Sequence, residues 1–392
     1  YHRFNPGLFA PNNEESALIF TEIQIEKRKA LESGWYIDHE YKHSTRLNFR
    51  YGLRLSTFSN IGGSEYTYTK DPDTNEPISA LTTRDSFGSS EIYNTYAGLE
   101  PRASVSYNLN STLAIKGSYN RTFQYVQQAT NTASSFPTDQ WFSANKNIKP
   151  QRADQVAVGL FKNFDLGLET SVEVYYKWMD NQIDYRDNAD LAFNENLDGE
   201  LLTGDGWAYG AEFYVAKTEG NSSGFISYTW AKTMRQINGI SGDNPYVAGF
   251  DRRHNLSVVF TQKFSKRLLA TASFVFASGQ PLTTPVSKYF YNGEWQTNYN
   301  DQKRNNFRLP AYHRADIGVT LKSKEKPDKR FKSNWNFSIY NLYNRENLYV
   351  FNFRRKQVQD LVKFQEAREG KTEAFKTTFL KFIPAITGNF EF

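Results

Sequence analysis

Residues 45–58, TRLNFRYGLRLSTF, alternate between apolar and polar side chains over most of their length. The apolar residues that occupy every second position are Leu47, Phe49, Tyr51, Leu53 and Leu55. Three arginines lie on the opposite alternation, at Arg46, Arg50 and Arg54. Because successive side chains of a β-strand point to opposite faces, this stretch predicts a strand with one apolar face and one charged face.

The same alternation predicts about 13 strands, many of them longer than the usual ~5–6 residues. We place them at residues 29–42, 45–59, 98–109, 112–126, 152–163, 167–183, 205–218, 223–236, 251–264, 267–280, 310–323, 332–346 and 376–392. A transmembrane β-strand needs about 9–11 residues, so most of these strands are long enough to cross a bilayer.

The connections between the predicted strands are alternately short and long. Short turns fall near residues 42–44, 109–112, 163–166, 218–222 and 264–267, with a longer basic one near 324–331. Long loops fall near residues 60–97, 127–150, 184–204, 237–250, 281–309 and 347–375. Tight turns at one end and long loops at the other are typical of an outer-membrane β-barrel with periplasmic turns and extracellular loops.

A barrel fixes what each face of the predicted strands contacts. The apolar face contacts outer-membrane lipid, and the polar face lines the lumen. The charged residues that we predict to face the lumen are Arg46, Arg50, Arg54, Glu100, Arg102, Arg314 and Asp316. The residues that we predict to form an aromatic girdle on the lipid face, near the loops, are Trp178, Trp207, Tyr125 and Tyr343.

The alternatives to a membrane barrel are a soluble sandwich, a propeller or a solenoid. Their strands are shorter and their connections lack the short and long rhythm. The sequence also shows no repeat of the ~20–50 residues that characterise propellers and solenoids. We therefore predict an all-β transmembrane barrel.

Composition excludes several other classes of protein. The chain has 392 residues and no Cys, which excludes disulfides, Fe–S clusters, thiolate zinc sites and a Cys nucleophile. No apolar run reaches the roughly 18 residues of a membrane-spanning helix. The net charge of +5 is small and evenly spread, so nucleic acid is not an expected partner.

Seven segments resemble the barrel of TonB-dependent outer-membrane receptors, in the form common in Bacteroidota. They are residues 51–56 (YGLRLS), 206–213 (GWAYGAEF), 228–233 (YTWAKT), 250–260 (FDRRHNLSVVF), 278–285 (SGQPLTTP), 308–319 (RLPAYHRADIGV) and 336–347 (NFSIYNLYNREN). The resemblance runs from about residue 29 to the C-terminus. It implies that the terminal Phe392 is the outer-membrane insertion signal, and that the organism is a Gram-negative bacterium.

The resemblance also implies parts that these residues do not show. The family has an N-terminal plug, a segment that contacts TonB and a barrel of about 22 strands. Single-chain bacterial barrels have even strand numbers, and an open sheet of 13 strands would leave two unpaired edges in lipid. We therefore expect residues 1–392 to be the C-terminal portion of a receptor barrel, without the plug and the first strands.

The function implied by the resemblance is transport of a solute through a plugged barrel, with energy from TonB. The substrate class remains open among siderophores, glycans and peptides, since specificity depends on loops whose packing the sequence does not fix. One alternative is a receptor-like barrel that acts as a scaffold subunit of an outer-membrane assembly complex. A second is an outer-membrane hydrolase, but Asp251 and His254 alone do not make the required Asp/His/Ser set, so we do not predict an enzyme.

Two long loops carry candidate contact residues. Tyr289, Tyr291, Trp295 and Tyr299 stand among amide residues, a composition that suits ligand stacking or protein contact, although a solvated surface is an equal alternative. Val358, Leu361 and Val362 have helical spacing, which predicts a short amphipathic helix. We expect a surface-exposed lipoprotein or another complex subunit to cover these loops.

Residues 71–76 (DPDTNE) resemble the beginning of a calcium-binding loop. They lack the central Gly and the distal Glu of such a loop. We favour a polar turn over a calcium site, and predict no cofactor.

Overall fold

The computed structural model describes residues 2–4, 8–9, 23–24, 27–70, 77–129, 140–187, 189, 194, 196–291, 294–299, 303–324, 332–355, 372–378 and 380–391. Thirteen strands form the main sheet: β1 (Arg28–Lys42), β2 (Leu47–Lys70), β3 (Pro77–Asn108), β4 (Leu113–Gln124), β5 (Gln151–Phe164), β6 (Leu168–Tyr185), β7 (Leu201–Lys217), β8 (Ser222–Gln236), β9 (His254–Lys263), β10 (Leu268–Ala277), β11 (Tyr312–Lys322), β12 (Lys332–Tyr340) and β13 (Ile383–Glu391). Each pairs antiparallel with the next in the chain, and two short strands, His2–Phe4 and Tyr246–Val247, complete the 15-stranded sheet. The predicted all-β fold of about 13 antiparallel strands is confirmed.

One face of this sheet is apolar from strand to strand. Leu160 on β5 pairs with Ile115 on one side and with Val172 on the other, and Val172 pairs in turn with Phe213. The row continues through Tyr228, Leu256 and Phe276. Its side chains are largely uncovered by protein, with Leu160 46% exposed. A contiguous apolar surface of this extent marks a membrane-facing wall.

The buried apolar clusters lie at the loop ends of the strands and not along the wall. The largest cluster contains Ala129, Phe142, Ile148, Ile183, Tyr185, Leu197 and Leu201. A second contains Leu202, Ile237, Ile240 and Tyr246, and a third contains Ala30, Phe58, Tyr125 and Ala144. We call the connecting segments at residues 125–129, 140–150, 196–200, 237–253 and 303–309 the loop layer. It packs as a water-soluble protein does, whereas the wall presents its apolar side chains outward.

An aromatic girdle lies on the apolar face just below the loop layer. Trp178 pairs directly with Trp207. The rings of Tyr176 and Tyr209 stack with their centroids 6.1 Å apart, and Tyr343 lies 5.6 Å from the ring of His313. Trp178, Trp207 and Tyr343 therefore occupy the level that the sequence predicted for them.

The prediction for Tyr125 was wrong. Tyr125 is 3% exposed and stacks on Phe58 with ring centroids 5.2 Å apart. Its hydroxyl lies 2.7 Å from Ser56 Oγ, on the polar face of β2. The ladder of β4 ends at Gln124, so the alternation does not extend to Tyr125, and its ring turns into the third apolar cluster.

The prediction of a loop over residues 60–97 was also wrong, because β2 and β3 continue through most of it as one hairpin. Above the apolar wall this hairpin leans on the loop layer. Tyr68 is 4% exposed, and Asn147 Nδ2 donates a hydrogen bond of 2.8 Å to the carbonyl of Tyr66. Polar and apolar side chains occur on both faces of the hairpin here, so the alternation that identified the other strands is absent.

The predicted last strand at residues 376–392 divides into two. Thr372–Thr378 pairs with Leu348–Arg355 as a separate loop hairpin, and β13 begins only at Ile383. Leu380, predicted within the strand, has a φ of 51° and lies outside it with Phe382. Ile386 and Phe390 do lie in β13, whereas Phe392 is outside the described residues.

The two ends of the sheet are not joined to each other within the described residues. There β13 pairs only with β12, and β1 pairs with β2 and, over residues 28–30, with the short strand His2–Phe4. One edge of β13 and most of one edge of β1 therefore lack a ladder partner among these residues. Among the described residues the structure also has no helix long and apolar enough to cross a membrane.

Two arginine substitutions, one on each face of the sheet, can test which face contacts lipid. Tyr51 lies on the apolar face and is 52% exposed, so Tyr51→Arg should cost about 2–4 kcal/mol of folding free energy, the scale for a basic side chain inside a bilayer. Denaturant titration of the full-length protein folded into lipid vesicles measures this cost. Ser118, on the polar face, is the matched control: Ser118→Arg should cost far less, and equal losses would contradict the assignment of the faces.

Candidate functional site

A cavity of 670 Å³ lies on the polar face of β4–β8, at the end where the loop layer begins. The strands contribute Thr122, Ala153, Tyr175, Ala208 and Thr233 to its wall. The loop layer contributes the aromatic rings of Trp141 and Phe250, which are each 56% exposed. Strand residues of the polar face therefore form one side of the cavity, and residues of the loop layer form its upper boundary.

Carboxamide side chains dominate the polar lining of this cavity. Six glutamines contribute to it: Gln124, Gln127, Gln128, Gln151, Gln155 and Gln182. A β-bulge between Met179 and Gln182, with Asn181 at a φ of 55°, shifts the alternation of β6. As a result Gln182 lines the cavity in the place that Asn181 would take in a regular strand.

Most cationic groups at the cavity are already paired with carboxylates. Arg152 forms ion pairs with Asp154 and Asp180, and Arg235 NH1 lies 3.4 Å from Asp184 Oδ2. Lys177, Glu173 and Glu212 form no ion pair with any described residue. The charged lining residues sum to +1, whereas the three unpaired groups alone sum to −1, because the carboxylates that pair with Arg152 and Arg235 lie outside the lining.

A buried ion cluster ties three long connections together beside the cavity. Arg304, from the connection between β10 and β11, lies 2.8 Å from Asp184 Oδ1 and 3.2 Å from Asp187 Oδ1. Tyr246, from the connection between β8 and β9, donates its hydroxyl hydrogen to Asp184 over 3.0 Å. Burial raises the pKa of Asp187, and the backbone N–H of Ser241 and the guanidinium of Arg304 oppose that rise. We call these side chains the loop clamp.

A second junction brings together segments that carry the family resemblance. Asp251 is 2% exposed, forms an ion pair with Arg308 and accepts a 2.7 Å hydrogen bond from the backbone N–H of Thr233. Arg308 also donates to the carbonyl of Gly279 over 3.0 Å. A Cβ atom at Gly279 would lie 1.6 Å from the carbonyl oxygen of Leu309, so only glycine fits this close approach.

Asp251 and His254, the candidate catalytic residues of a hydrolase, have different partners at this junction. The carboxylate of Asp251 is taken by Arg308 and Thr233, whereas His254 Nδ1 lies 2.8 Å from the hydroxyl of Tyr228 on the apolar face. Asp251 and His254 therefore have different partners on different faces, and do not form a catalytic pair.

Six of the charged residues predicted to face the lumen lie on the polar face, in ion pairs with one another or with neighbouring strands. Arg50 Nε lies 2.8 Å from Asp38, Arg54 NH1 lies 3.1 Å from Glu100, and Arg314 NH2 lies 2.9 Å from Asp316. Arg102 NH2 is 3.9 Å from Glu100. Arg46 differs, because it lies in the turn before β2 and not in the ladder. None of the seven lines the cavity.

The predicted aromatic contact residues lie away from the cavity, on a hairpin formed by Pro285–Tyr291 and Glu294–Tyr299. Tyr289 is 53% exposed and Tyr299 is 41% exposed. Tyr291 and Trp295 belong to the same hairpin, but their side chains lie outside the described part. Residues 71–76 and the predicted helix with Val358, Leu361 and Val362 also lie outside the described residues.

Sequence reasoning missed the glutamine lining. The signal available was the run QYVQQ at residues 124–128, with three glutamines in five positions. Gln182 carries no such signal, because its position on the cavity depends on the bulge in β6.

Loss of Arg304 tests the loop clamp. Arg304→Met leaves Asp184 and Asp187 without the cation that compensates for their burial, and breaking such a pair costs about 3–5 kcal/mol. Amide hydrogen exchange should therefore accelerate at residues 184–187 and 241–248. The exposed neighbour variant Lys303→Met should exchange as the wild type does, and unchanged protection in Arg304→Met would show that the clamp does not hold these loops.

Comparison with known proteins relates this arrangement to one family. No curated protein matches the chain. Solved structures with the same fold include the siderophore receptor PiuA from Acinetobacter baumannii (12% identity, TM-score 0.57, covering 95% of this chain and 44% of that one) and the ferric citrate transporter FecA in its unliganded form (12%, 0.56, 93% and 45%). Another is the closed form of the ferric-catecholate import receptor Fiu from Escherichia coli K12 (11%, 0.55, 95% and 46%).

The chain spans less than half the length of these solved structures, and at such identities the likeness concerns the fold alone. Residues 3–344 match the family described as TonB dependent receptor-like, beta-barrel. The apolar strand wall, the aromatic girdle and this match together place the protein in the outer membrane of a Gram-negative bacterium, and the chain belongs to the TonB-dependent receptor β-barrel family.

Proposed function

We propose that this chain forms part of a receptor that imports a solute across the outer membrane with energy from TonB. The observation that carries the proposal is the polar cavity on the lumen side of an apolar strand wall. A wall of this kind separates a hydrated interior from lipid, and a cavity beneath extracellular loops can capture a solute before its passage. The proposal includes no catalytic step.

The solved structures with this fold support uptake as the general activity. Fiu imports ferric-catecholates, FecA transports ferric citrate, and PiuA is a siderophore receptor. By analogy, import of a solute is the activity that we assign to the whole protein here. We also propose that the chain is of the Bacteroidota type, on the basis of the seven resembling segments.

The free edges of the sheet support a larger barrel. Each edge strand presents N–H and C=O groups that lipid cannot hydrate. We propose that residues 1–392 are the C-terminal portion of the barrel, and that roughly nine further strands pair with these edges, since a complete receptor barrel has about 22. A plug that contacts TonB would then occupy the lumen, and Phe392 would serve as the insertion signal.

The exposed hairpins support a protein partner at the cell surface. The side chains of Tyr289 and Tyr299 are exposed to solvent in this chain. Because Tyr is enriched at protein–protein interfaces, their exposure favours a binding partner. We propose that a surface lipoprotein or another subunit binds here, with Tyr291 and Trp295 as further contacts. The charged residues of the polar face would form ion pairs between strands or with the plug; they are Arg50, Arg54, Glu100, Arg102, Arg314 and Asp316.

A deletion strain distinguishes uptake from scaffolding. We expect cells that lack the gene to lose growth on one class of solute, supplied as a ferric chelate, an oligosaccharide or an oligopeptide in defined medium. The same growth should fail in cells that lack TonB or are treated with a protonophore, because transport needs energy. Normal uptake of all three classes, with a changed set of outer-membrane proteins, would favour the scaffold instead.

The orientation can be tested by cysteine labelling, since the chain has no natural Cys. We expect Glu294→Cys, at the tip of the aromatic hairpin, to react with an impermeant maleimide on intact cells. Asn110→Cys, in the short turn between β3 and β4, should react only after the outer membrane is permeabilised. Labelling of Asn110→Cys on intact cells would reverse the topology.

A further inference from the structure

The 670 Å³ cavity combines features that discriminate between classes of solute. Its volume lies within the roughly 300–1,000 Å³ of small-molecule sites, which suits a short oligomer and not a folded partner. We propose that this cavity binds an uncharged oligosaccharide. The inference rests on the proposed uptake function and specifies its substrate class.

The glutamine amides provide the first argument. A carboxamide donates through its NH₂ group and accepts through its oxygen, as the hydroxyl groups of a sugar also do. Two of these amides are fixed: Gln127 Nε2 donates to the carbonyl of Lys149 over 3.2 Å, and Gln151 Nε2 donates to Gln127 Oε1 over 2.5 Å. Such preorganised amides lose little conformational entropy when a ligand binds.

Gln182 provides the second argument. It is 4% exposed, yet its side chain forms no hydrogen bond with any described residue. The amide atoms of Gln182 are not sealed from solvent, and a ligand in the cavity can therefore reach them. The bulge in β6 directs Gln182 to the cavity, where a ligand hydroxyl group would replace water as the hydrogen-bond partner of its free amide.

The charge and the aromatic rings provide the third argument. With Arg152 and Arg235 engaged by carboxylates, the remaining charges are those of Lys177, Glu173 and Glu212. Glu173 and Glu212 stand directly opposite each other on β6 and β7, which disfavours an anionic solute such as a ferric catecholate. The exposed ring of Trp141 offers a flat apolar face, against which the C–H face of a sugar ring can pack. The Phe250 ring is also exposed, although the guanidinium of Arg235 lies over one of its faces, 5.4 Å from the ring centroid.

The strand edges argue against a peptide. Peptides bind to sheets mainly by adding a strand to a free edge. The strands β5–β8 that line most of the cavity are each paired on both sides, so none of them offers such an edge there. Side-chain contacts alone remain, and these favour a ligand that carries its own hydroxyl groups.

Binding to the full-length protein in detergent tests the inference. The probes are neutral hexasaccharides of glucose, xylose and mannose, an oligogalacturonate, a ferric tris-catecholate and pentaglycine. We expect at least one neutral hexasaccharide to bind by calorimetry and to change the tryptophan fluorescence, with that change lost in Trp141→Phe. Gln182→Met should weaken this binding about tenfold, the equivalent of about 1.4 kcal/mol.

Two controls separate recognition from general damage to the protein. Gln262→Met changes a glutamine on the apolar face and should leave sugar affinity unaltered. Glu212→Gln, within the lining, should raise the affinity for oligogalacturonate, because it removes a repelling charge. Binding of only the ferric catecholate or pentaglycine, binding of none of the probes, or sugar binding indifferent to Gln182→Met would overturn the inference.

The outcomes also distinguish this inference from the proposed uptake function. Energy-dependent uptake of a ferric chelate or peptide in the deletion experiment, without sugar binding, would retain the uptake function and remove the sugar specificity. Absence of energy-dependent uptake for every class would remove the uptake function itself.

Discussion

Every backbone N–H and C=O group in the hydrocarbon of a bilayer must find a partner within the protein. The antiparallel ladder from β1 to β13 meets this requirement strand by strand. It also fixes the alternation of faces, because one face of each paired strand must then meet lipid. The girdle at Trp178 and Trp207, the row through Leu160 and Val172, and the polar side of the wall all follow from that single constraint.

The requirement explains why so much of the wall could be predicted from the sequence. Within lipid, a misplaced polar side chain is costly, so the period of two is strictly kept, and thirteen strands were found. Above the lipid the constraint disappears. The upper part of the β2–β3 hairpin has polar residues on both faces, Tyr125 turns inward beyond the end of its ladder, and Leu380 breaks the approach to β13. These features depend on tertiary packing that a local pattern does not encode.

The candidate site was less predictable for the same reason. Asp184 and Arg304 are 120 positions apart, and only the folding of three connections brings them together. Gln182 reaches the cavity through a one-residue bulge, which no alternation pattern indicates. The charged residues that could be chosen from the sequence, such as Arg54 and Glu100, pair with each other along the wall. The site is instead built from amides and rings next to a loop layer held by buried ion pairs.

The β2–β3 hairpin is long enough to offer a surface to molecules that bind the cell from outside. Residues 62–70 continue β2 beyond its pairing with β1 and rise roughly 3.3 Å each, so this part of the strand is on the order of 30 Å long. Tyr68 and Glu65 anchor it to the loop layer, which restrains its movement. An antibody or a bacteriophage that binds here would therefore meet a hairpin of fixed shape, and variation that evades them would be expected to accumulate in it.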